Sequence, residues 1–241
     1  MLSTCLAFVL AGRQEFARIT RLSEKINDVS AGHDYTSPEL DRSALVLIDV
    51  QNDFVSGTAQ VDGTAEHLPA MARLVELYRA RHRPIVHVIR LYVPGGSDAD
   101  PPRRAVIEAG QQIAAPHTDG AAIPATLLAH PLDYESLLAG GVQHVGANEV
   151  VMFKPRWSAF YRTDLDRHLH DLGVTTVVVA GCNLPNCPRA TLFDASERDY
   201  RAALVTDATS QVTTERLNDL RLIGVELLTM ADIDRSLLAD A

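Results

Sequence analysis

One cysteine stands where the chain could carry out covalent chemistry. Cys187 is followed by Pro188, a residue favoured at the first position of a helix, and the stretch PRATLFDASERDY is typical of a helix. A helix N-terminus offers free backbone amides and the positive end of the helix dipole, which favour a thiolate. We therefore predict that Cys187 is a nucleophile held as thiolate, beside amides that could stabilise an oxyanion. A buried structural cysteine is the alternative interpretation.

Two further residues are candidates to assist this thiol. Asp49 ends the apolar run ALVLIDV, and Lys154 directly follows the apolar run EVVMF. A carboxylate can accept the thiol proton while a lysine stabilises nearby negative charge. The ordinary alternatives are a carboxylate that caps a turn and a rim lysine that reaches water. Asp53, four residues after Asp49, competes with it for a functional role.

Six apolar runs rich in β-branched residues predict the strands that position these candidates. They lie at 44–50, 84–90, 149–153, 175–181, 201–207 and 225–230. Such runs suit strands that are covered on both faces, as in a parallel sheet. Helix-like stretches separate them, at 66–81, 163–172, 188–199 and 213–222. The alternation predicts an α/β fold with three αβα layers, in which a Rossmann-like, doubly wound and mostly parallel sheet has about six strands.

Two segments depart from this alternation. Residues 1–40 are predicted to be an N-terminal extension, followed by one α/β domain over 41–241. The apolar stretch 5–12 lacks the flanks of a secretory signal and is too short to span a bilayer. Residues 91–148 contain scattered Pro and Gly and a helical piece near 102–113, which is typical of a functional lid or insertion.

The predicted topology brings the three candidates together. Ligands bind beyond the carboxyl ends of the strands in an open parallel sheet. Asp49 ends the first strand, Lys154 follows the strand at 149–153, and Cys187 follows the strand at 175–181. We therefore expect a carboxylate, an ammonium and a thiol to meet at one rim of the sheet.

Composition argues against several classes of function. The formal net charge of −9 argues against nucleic acid or an anionic membrane as partner. Three cysteines are too few for a disulfide framework, which favours a cytoplasmic protein. The first strand is not followed by G-x-G-x-x-G, which argues against a dinucleotide-dependent oxidoreductase. The predicted partner is a small-molecule substrate, with no cofactor and no metal.

Three segments together resemble the isochorismatase-like cysteine hydrolase superfamily. They are ALVLIDVQNDF (44–54), KPRWSAFYRTDLDRHL (154–169) and VVVAGCNLPNCPRATLFDASERDYRAALVTDA (177–208). The superfamily includes nicotinamidases, N-carbamoylsarcosine amidohydrolases, biuret and maleamate hydrolases, and streptothricin hydrolase. The resemblance covers about 43–230, and it implies an enzyme that assembles as a homodimer or homotetramer.

The resemblance implies a role for each residue of the site. Asp49 would take the proton from Cys187, and Lys154 would polarise the pair. Cys187 would attack a carbonyl and form a thioester that water then hydrolyses. A cis peptide bond is implied at Cys182–Asn183, with the backbone amides of Asn183 and Cys187 forming the oxyanion hole.

Departures from the family pattern restrict the substrate. The stretch RLYVPGGSDAD lacks the histidine of the nicotinamidase metal motif, so neither that metal nor nicotinamide is expected. The presence of Cys187 favours a carbon–nitrogen bond in an amide, lactam, ureido or carbamoyl group. Hydrolysis of isochorismate, a vinyl ether, is the enzymatic alternative. A non-catalytic scaffold or oligomerising partner is the alternative from another class.

Four residues are predicted to bind the substrate: Arg156, Trp157, Tyr161 and Asn186. Arg156 could hold a carboxylate through two hydrogen bonds, but a surface salt bridge is an equal alternative. Trp157 could equally belong to the core or to an interface. His87 lies inside an apolar strand and is expected to be a core histidine with a hydrogen-bond partner.

Overall fold

The predicted apolar runs form strands of one central sheet. The computed structural model describes residues 34–96 and 98–239. Its strands are β1 (Ser43–Ile48), β2 (Ile85–Ile89), β3 (Val142–Gly146), β4 (Glu149–Phe153), β5 (Thr176–Gly181), β6 (Arg201–Thr209) and β7 (Glu226–Leu228). They are arranged in the order β3-β4-β2-β1-β5-β6-β7. Every neighbouring pair is parallel except β3 and β4, which are antiparallel.

The strand β3 was not predicted, so the sheet has seven strands instead of about six. Its sequence VQHVG carries Gln143 and His144, and its residues are partly buried or exposed. β3 is an edge strand that pairs only with β4. An edge strand that faces solvent does not need a continuous apolar run, which is why the segment 91–148 gave no strand signal. The mostly parallel α/β class is confirmed.

Helices occupy both faces of this sheet. Their bounds are α1 (Asn52–Val55), α2 (Thr64–Ala80), α3 (Pro101–Glu108), α4 (Tyr134–Leu138), α5 (Leu165–Asp171), α6 (Cys187–Ser196), α7 (Thr214–Leu222) and α8 (Met230–Ala239). The four helices predicted between strands correspond to α2, α5, α6 and α7. The predicted helical piece at 102–113 is α3, which ends earlier, at Glu108.

Alternation along β1 divides the core into two layers. Leu45 and Leu47 pack with residues of α2 and α8 in one buried cluster. Ala44, Val46 and Ile48 pack with residues of α5, α6 and α7 in another. Successive side chains of a strand point to opposite faces, so one fully buried strand contributes to both clusters. This arrangement confirms the three-layer αβα architecture.

The compact unit that contains the sheet begins at Thr36. Most of the predicted extension 1–40 lies outside the described residues, and its role stays a prediction. Within the described ranges, no helix combines the length and apolarity that crossing a membrane requires.

A buried ionic cluster lies on β2 and β4, away from the carboxyl ends of these strands, where the predicted site lies. His87 is 2% exposed, and its Nε2 lies 2.7 Å from Oε1 of Glu149, while Arg79 donates two hydrogen bonds to the same carboxylate. The expectation that His87 is a core histidine with a partner is confirmed. Burial alone would raise the pKa of Glu149, but the hydrogen bonds from His87 and Arg79 lower it to about 2.

This cluster gives a prediction about acid stability. The folded pKa of Glu149 lies below its ordinary value of 4.5. The Glu149 carboxylate therefore contributes about 2–3 kcal/mol to the free energy of unfolding. This contribution is fully present above about pH 4.5 and is lost as the pH falls towards 2. Between pH 5 and pH 3, the unfolding free energy of Glu149→Gln should fall less than that of the wild type, as measured by urea denaturation.

The exposed pair of His117 and Glu135, 3.0 Å apart, supplies a matched control. Solvent screens such a pair, so Glu135→Gln should keep the wild-type pH dependence. Equal acid sensitivity of Glu149→Gln and the wild type would show that the buried carboxylate contributes nothing.

Candidate active site

Three chain segments bring a carboxylate, an ammonium and a thiol together at one rim of the sheet. Asp49 follows β1, Lys154 follows β4, and Cys187 begins α6. The ammonium Nζ of Lys154 lies 2.8 Å from Oδ2 of Asp49 and 3.3 Å from Sγ of Cys187. The juxtaposition predicted from the strand ends is therefore present in the structure.

Lys154 is the centre of this arrangement. Its side chain is fully buried, and its ammonium donates to Asp49, to Cys187 and, at 3.1 Å, to the backbone carbonyl of Arg156. An ammonium has three donors, so each of them has an acceptor. Burial alone would lower the pKa of Lys154, but the adjacent Asp49 and Cys187 raise it. Lys154 is therefore a fixed positive charge and not a proton acceptor.

The surroundings of Cys187 disfavour the thiolate that the sequence predicts. Its position at the start of α6 is as predicted. Burial raises the pKa of Cys187 well above its ordinary value, and the Asp49 carboxylate raises it further, although Lys154 opposes both. The thiol therefore needs a base before it can attack.

Asp49 has one oxygen available for that task. Its Oδ2 accepts from Lys154, while its Oδ1 is buried and has no hydrogen-bond partner among the described residues. The backbone of Asp49 has a φ of 53°, in the left-handed region that non-glycine residues rarely adopt. Such conformations concentrate at functional sites, where the surrounding structure holds them.

The connection between β5 and α6 forms the other half of the site. Gly181 has a φ of 121°, and a Cβ there would lie 2.3 Å from the carbonyl oxygen of Ile48, so only glycine fits between β1 and this turn. The Cys182–Asn183 peptide bond is cis, as the resemblance implied. In the described part of the chain, the backbone amides of Asn183 and Cys187 donate to no acceptor. Both amides are therefore available to a ligand.

Thr191 links α6 to the segment that follows β4. Its hydroxyl donates to the carbonyl of Cys187 at 2.8 Å and accepts from the amide of Ala159 at 3.0 Å. Thr191 is fully buried. This contact fixes the first turn of α6 relative to the chain that carries Lys154.

The three residues open into a cleft of about 420 Å³. Of the predicted substrate-binding residues, Arg156, Trp157 and Asn186 line the cleft, as do Cys182 and Asn183. Tyr161 does not, because it faces an adjoining apolar depression that it shares with Trp157. Cys182 is buried, which raises its pKa to about 11.

Arg156 makes a salt bridge at the rim of the cleft. Its guanidinium donates to Oδ1 and to the carbonyl of Asp98, each at 3.0 Å, and to the carbonyl of Pro155. Of the two alternatives for this residue, the salt bridge is the one observed.

The cleft is also lined by residues that the sequence analysis missed: Phe54, Val61, Arg90, Tyr92, Asp100 and Arg103. Arg90 could have been found, because it follows the β2 run at the same rim as Asp49 and Lys154. Asp100 and Arg103 lie in the segment 91–148, where no strand end marks a position.

Asp100 is occupied by contacts within this wall. It accepts from the Tyr92 hydroxyl at 2.8 Å and from Arg90 at 3.3 Å. Burial alone would raise the pKa of Asp100, but these two neighbours lower it. A carboxylate already held by a guanidinium and a hydroxyl does not suit a divalent cation. Among the described residues, no group of three or more His, Cys, Asp or Glu is placed to hold a metal.

Asp53, the competitor of Asp49, organises the neighbouring loops. Its carboxylate accepts from the amide and hydroxyl of Thr58 and from the amide of Ala114. A Cβ on Gly120 would lie 2.1 Å from this carboxylate, so the loop approaches it closely. Asp53 does not line the cleft. The role assigned to Asp49 in preference to Asp53 thus agrees with the geometry.

Comparison with known sequences places most of the chain in one family. The isochorismatase domain model matches residues 43–232. The chain is 34% identical over 195 residues to a protein of Arabidopsis thaliana named as a probable inactive nicotinamidase, covering 78% of this chain and 92% of that protein. It is 31% identical over 197 residues to the ureidoacrylate amidohydrolase of Methylobacterium radiotolerans, covering 76% and 72%.

Comparison with solved structures agrees. An isochorismatase family protein from Desulfovibrio vulgaris has a TM-score of 0.70 and 34% identity, covering 82% of this chain and 98% of that one. The N-carbamoylsarcosine amidase of Thermoplasma acidophilum has a TM-score of 0.63 and 25% identity, covering 78% and 96%. Both the fold and the sequence therefore point to the same family.

Proposed function

The chain belongs to the isochorismatase domain family of hydrolases, and we propose that it is a cysteine amidohydrolase that cleaves a non-peptide carbon–nitrogen bond of a small molecule through a thioester. The observation that carries the proposal is the contact of one buried ammonium, Lys154, with both Asp49 and Cys187. A catalytic thiol beside a base and a fixed positive charge is an arrangement suited to acyl transfer.

The first half-reaction begins with proton transfer. Oδ1 of Asp49 takes the thiol proton, and Lys154 stabilises the thiolate as it forms. Sγ of Cys187 attacks the carbonyl carbon, and the oxyanion is bound by the amides of Asn183 and Cys187. The carbon–nitrogen bond then breaks, the proton held by Asp49 passes to the departing amine, and the acyl group remains on Cys187 as a thioester.

The second half-reaction restores the thiol. Asp49, again a carboxylate, removes a proton from water as the water oxygen attacks the thioester. The carbon–sulfur bond breaks, the product leaves as a carboxylic or carbamic acid, and the proton returns to Sγ of Cys187. The sum is one amide and one water converted to one acid and one amine.

The class of bond is supported by relatives named for amide cleavage. They include the ureidoacrylate amidohydrolase and the N-carbamoylsarcosine amidase described above. One relative is named as inactive, so activity of this chain needs a direct test. Asp49, Lys154 and Cys187 are all present and in contact, which favours an active enzyme over a scaffold.

Turnover of a compound panel tests the proposal. The panel contains primary amides, lactams, ureido acids, N-carbamoyl amino acids and isochorismate, with amine or ammonia release and pyruvate formation as readouts. We expect hydrolysis of at least one carbon–nitrogen substrate. Turnover of isochorismate alone would favour the vinyl ether reaction, and no turnover of any compound would favour the scaffold.

A further inference from the structure

Among the described residues, one cation of the cleft wall forms no ion pair with a carboxylate. Lys154 pairs with Asp49 at 2.8 Å, and Arg156 pairs with Asp98 at 3.0 Å. Arg90 pairs with Asp100 at 3.3 Å. Within the described residues, Arg103 is the remaining cation of the wall, and it makes no ion pair and no side-chain hydrogen bond.

The guanidinium of Arg103 lies near an aromatic ring, but it has no hydrogen-bond acceptor among the described residues. Arg103 lies in the first turn of α3, where its backbone amide donates to the carbonyl of Asp100 at 2.9 Å. Its side chain is partly buried, and its guanidinium lies 5.7 Å from the centre of the Phe54 ring. An aromatic face attracts a cation but accepts none of its directed hydrogen bonds. Arg103 lines the cleft, so its guanidinium can donate to a ligand bound there.

The charge of the cleft also favours an anionic ligand. Its wall carries four cations, Arg90, Arg103, Lys154 and Arg156, against three carboxylates, Asp49 and Asp100 in the wall and Asp98 beside Arg156. The whole chain, by contrast, has a formal net charge of −9. A local excess of positive charge within an acidic protein attracts an anionic ligand to the cleft.

We propose that Arg103 binds an anionic group of the substrate, a carboxylate, while Cys187 attacks an amide or ureido carbonyl elsewhere in the same molecule. The proposal rests on the function proposed above and narrows the substrate to an amide that also carries a carboxylate. A guanidinium binds a carboxylate through two parallel hydrogen bonds, which would also orient the scissile carbonyl towards Cys187. Arg103 is thus a specificity-determining residue contributed by the segment 91–148.

Ligand binding to the Cys187→Ala protein tests this proposal without turnover. Two ligand pairs are compared by calorimetry: succinamate with succinamide, and malonamate with malonamide. Each pair differs only in a carboxylate replaced by a neutral amide. We expect at least one amic acid to bind more tightly than its diamide, and Arg103→Gln to reduce that preference by about 10- to 100-fold. Arg103→Lys should restore part of it, because the charge remains and the paired geometry is lost.

Arg104 is the matched control. It is the next residue of the same helix, is exposed, and donates to the carbonyl of Ala99 without lining the cleft. Arg104→Gln should keep the preference for the amic acid. The proposal is wrong if no amic acid binds better than its diamide, or if the preference survives in Arg103→Gln.

Turnover by the wild-type protein separates this proposal from the proposed function. Hydrolysis of diamides and amic acids with equal kcat/KM would retain the amidohydrolase and overturn the role of Arg103. Binding of an amic acid that depends on Arg103, with no Cys187-dependent hydrolysis of any amide, would retain the anion site and overturn the amidohydrolase.

Discussion

Asp49→Asn is expected to abolish hydrolysis while making Cys187 react faster with iodoacetamide at pH 7. The first effect follows because the asparagine cannot accept the thiol proton, and loss of a general base costs about 10²- to 10⁴-fold in rate. The second effect follows because the Asp49 carboxylate raises the pKa of Cys187, so its removal leaves Lys154 to stabilise the thiolate. Each unit by which the pKa falls increases the thiolate fraction about tenfold while the thiol is mostly protonated.

The opposite directions of these two effects make the experiment decisive. A variant that merely disturbs the fold would lose hydrolysis and gain reactivity at all cysteines, so the alkylated residue is identified by peptide mass. Lys154→Met is the companion variant, since it removes the charge that stabilises the thiolate. It should lose hydrolysis and alkylate no faster than the wild type. An Asp49→Asn protein whose Cys187 reacts more slowly than in the wild type would show that the carboxylate does not control the thiol.

Cys187→Ala is expected to lose at least about 10⁴-fold in kcat, because removal of a nucleophile eliminates the covalent pathway altogether. The Cys187 side chain lines the cleft, and alanine removes only its sulfur atom, so the thermal unfolding midpoint should stay close to that of the wild type. Cys187→Ser retains a hydroxyl of much higher pKa, and we expect it to be nearly as inactive. Amine release is measured against a blank without enzyme.

The outcome that would contradict this prediction is residual activity in Cys187→Ala within tenfold of the wild type. Water would then attack the substrate directly, with Asp49 as its base, and the thiol would be a bystander. The unfolding midpoint of the same preparation shows whether a loss of activity has a structural cause.

Physical chemistry explains why the position of the candidate site could be predicted from the sequence. Strands buried on both faces need continuous apolar runs, so β1, β4 and β5 could be located together with the residues that end them. Parallel strands place those ends at one rim, so the sequence predicts that Asp49, Lys154 and Cys187 meet there. The strand β3 escaped prediction because an edge position tolerates the polar residues it contains.

The ionisation of Cys187 could not be predicted from local sequence. The helix N-terminus and the lysine favour the thiolate, whereas burial and Asp49 oppose it, and only the distances and burial decide which effect prevails. The positions of Arg103 and Asp100 in the cleft could not be predicted from local sequence either. They lie in a long connection without periodic hydrophobicity, so their approach to the cleft depends on how that connection folds.

Partitioning of the acyl group between water and hydroxylamine tests the covalent mechanism most directly. Two substrates from the panel are chosen that share an acyl group and differ in the departing amine, and both are hydrolysed in the presence of hydroxylamine. If Cys187 carries the acyl group as a thioester, both substrates pass through the same species and give the same ratio of hydroxamate to acid. A ratio that changes with the departing amine would mean that no common acyl-enzyme exists, and the role assigned to Asp49, Lys154 and Cys187 would fail.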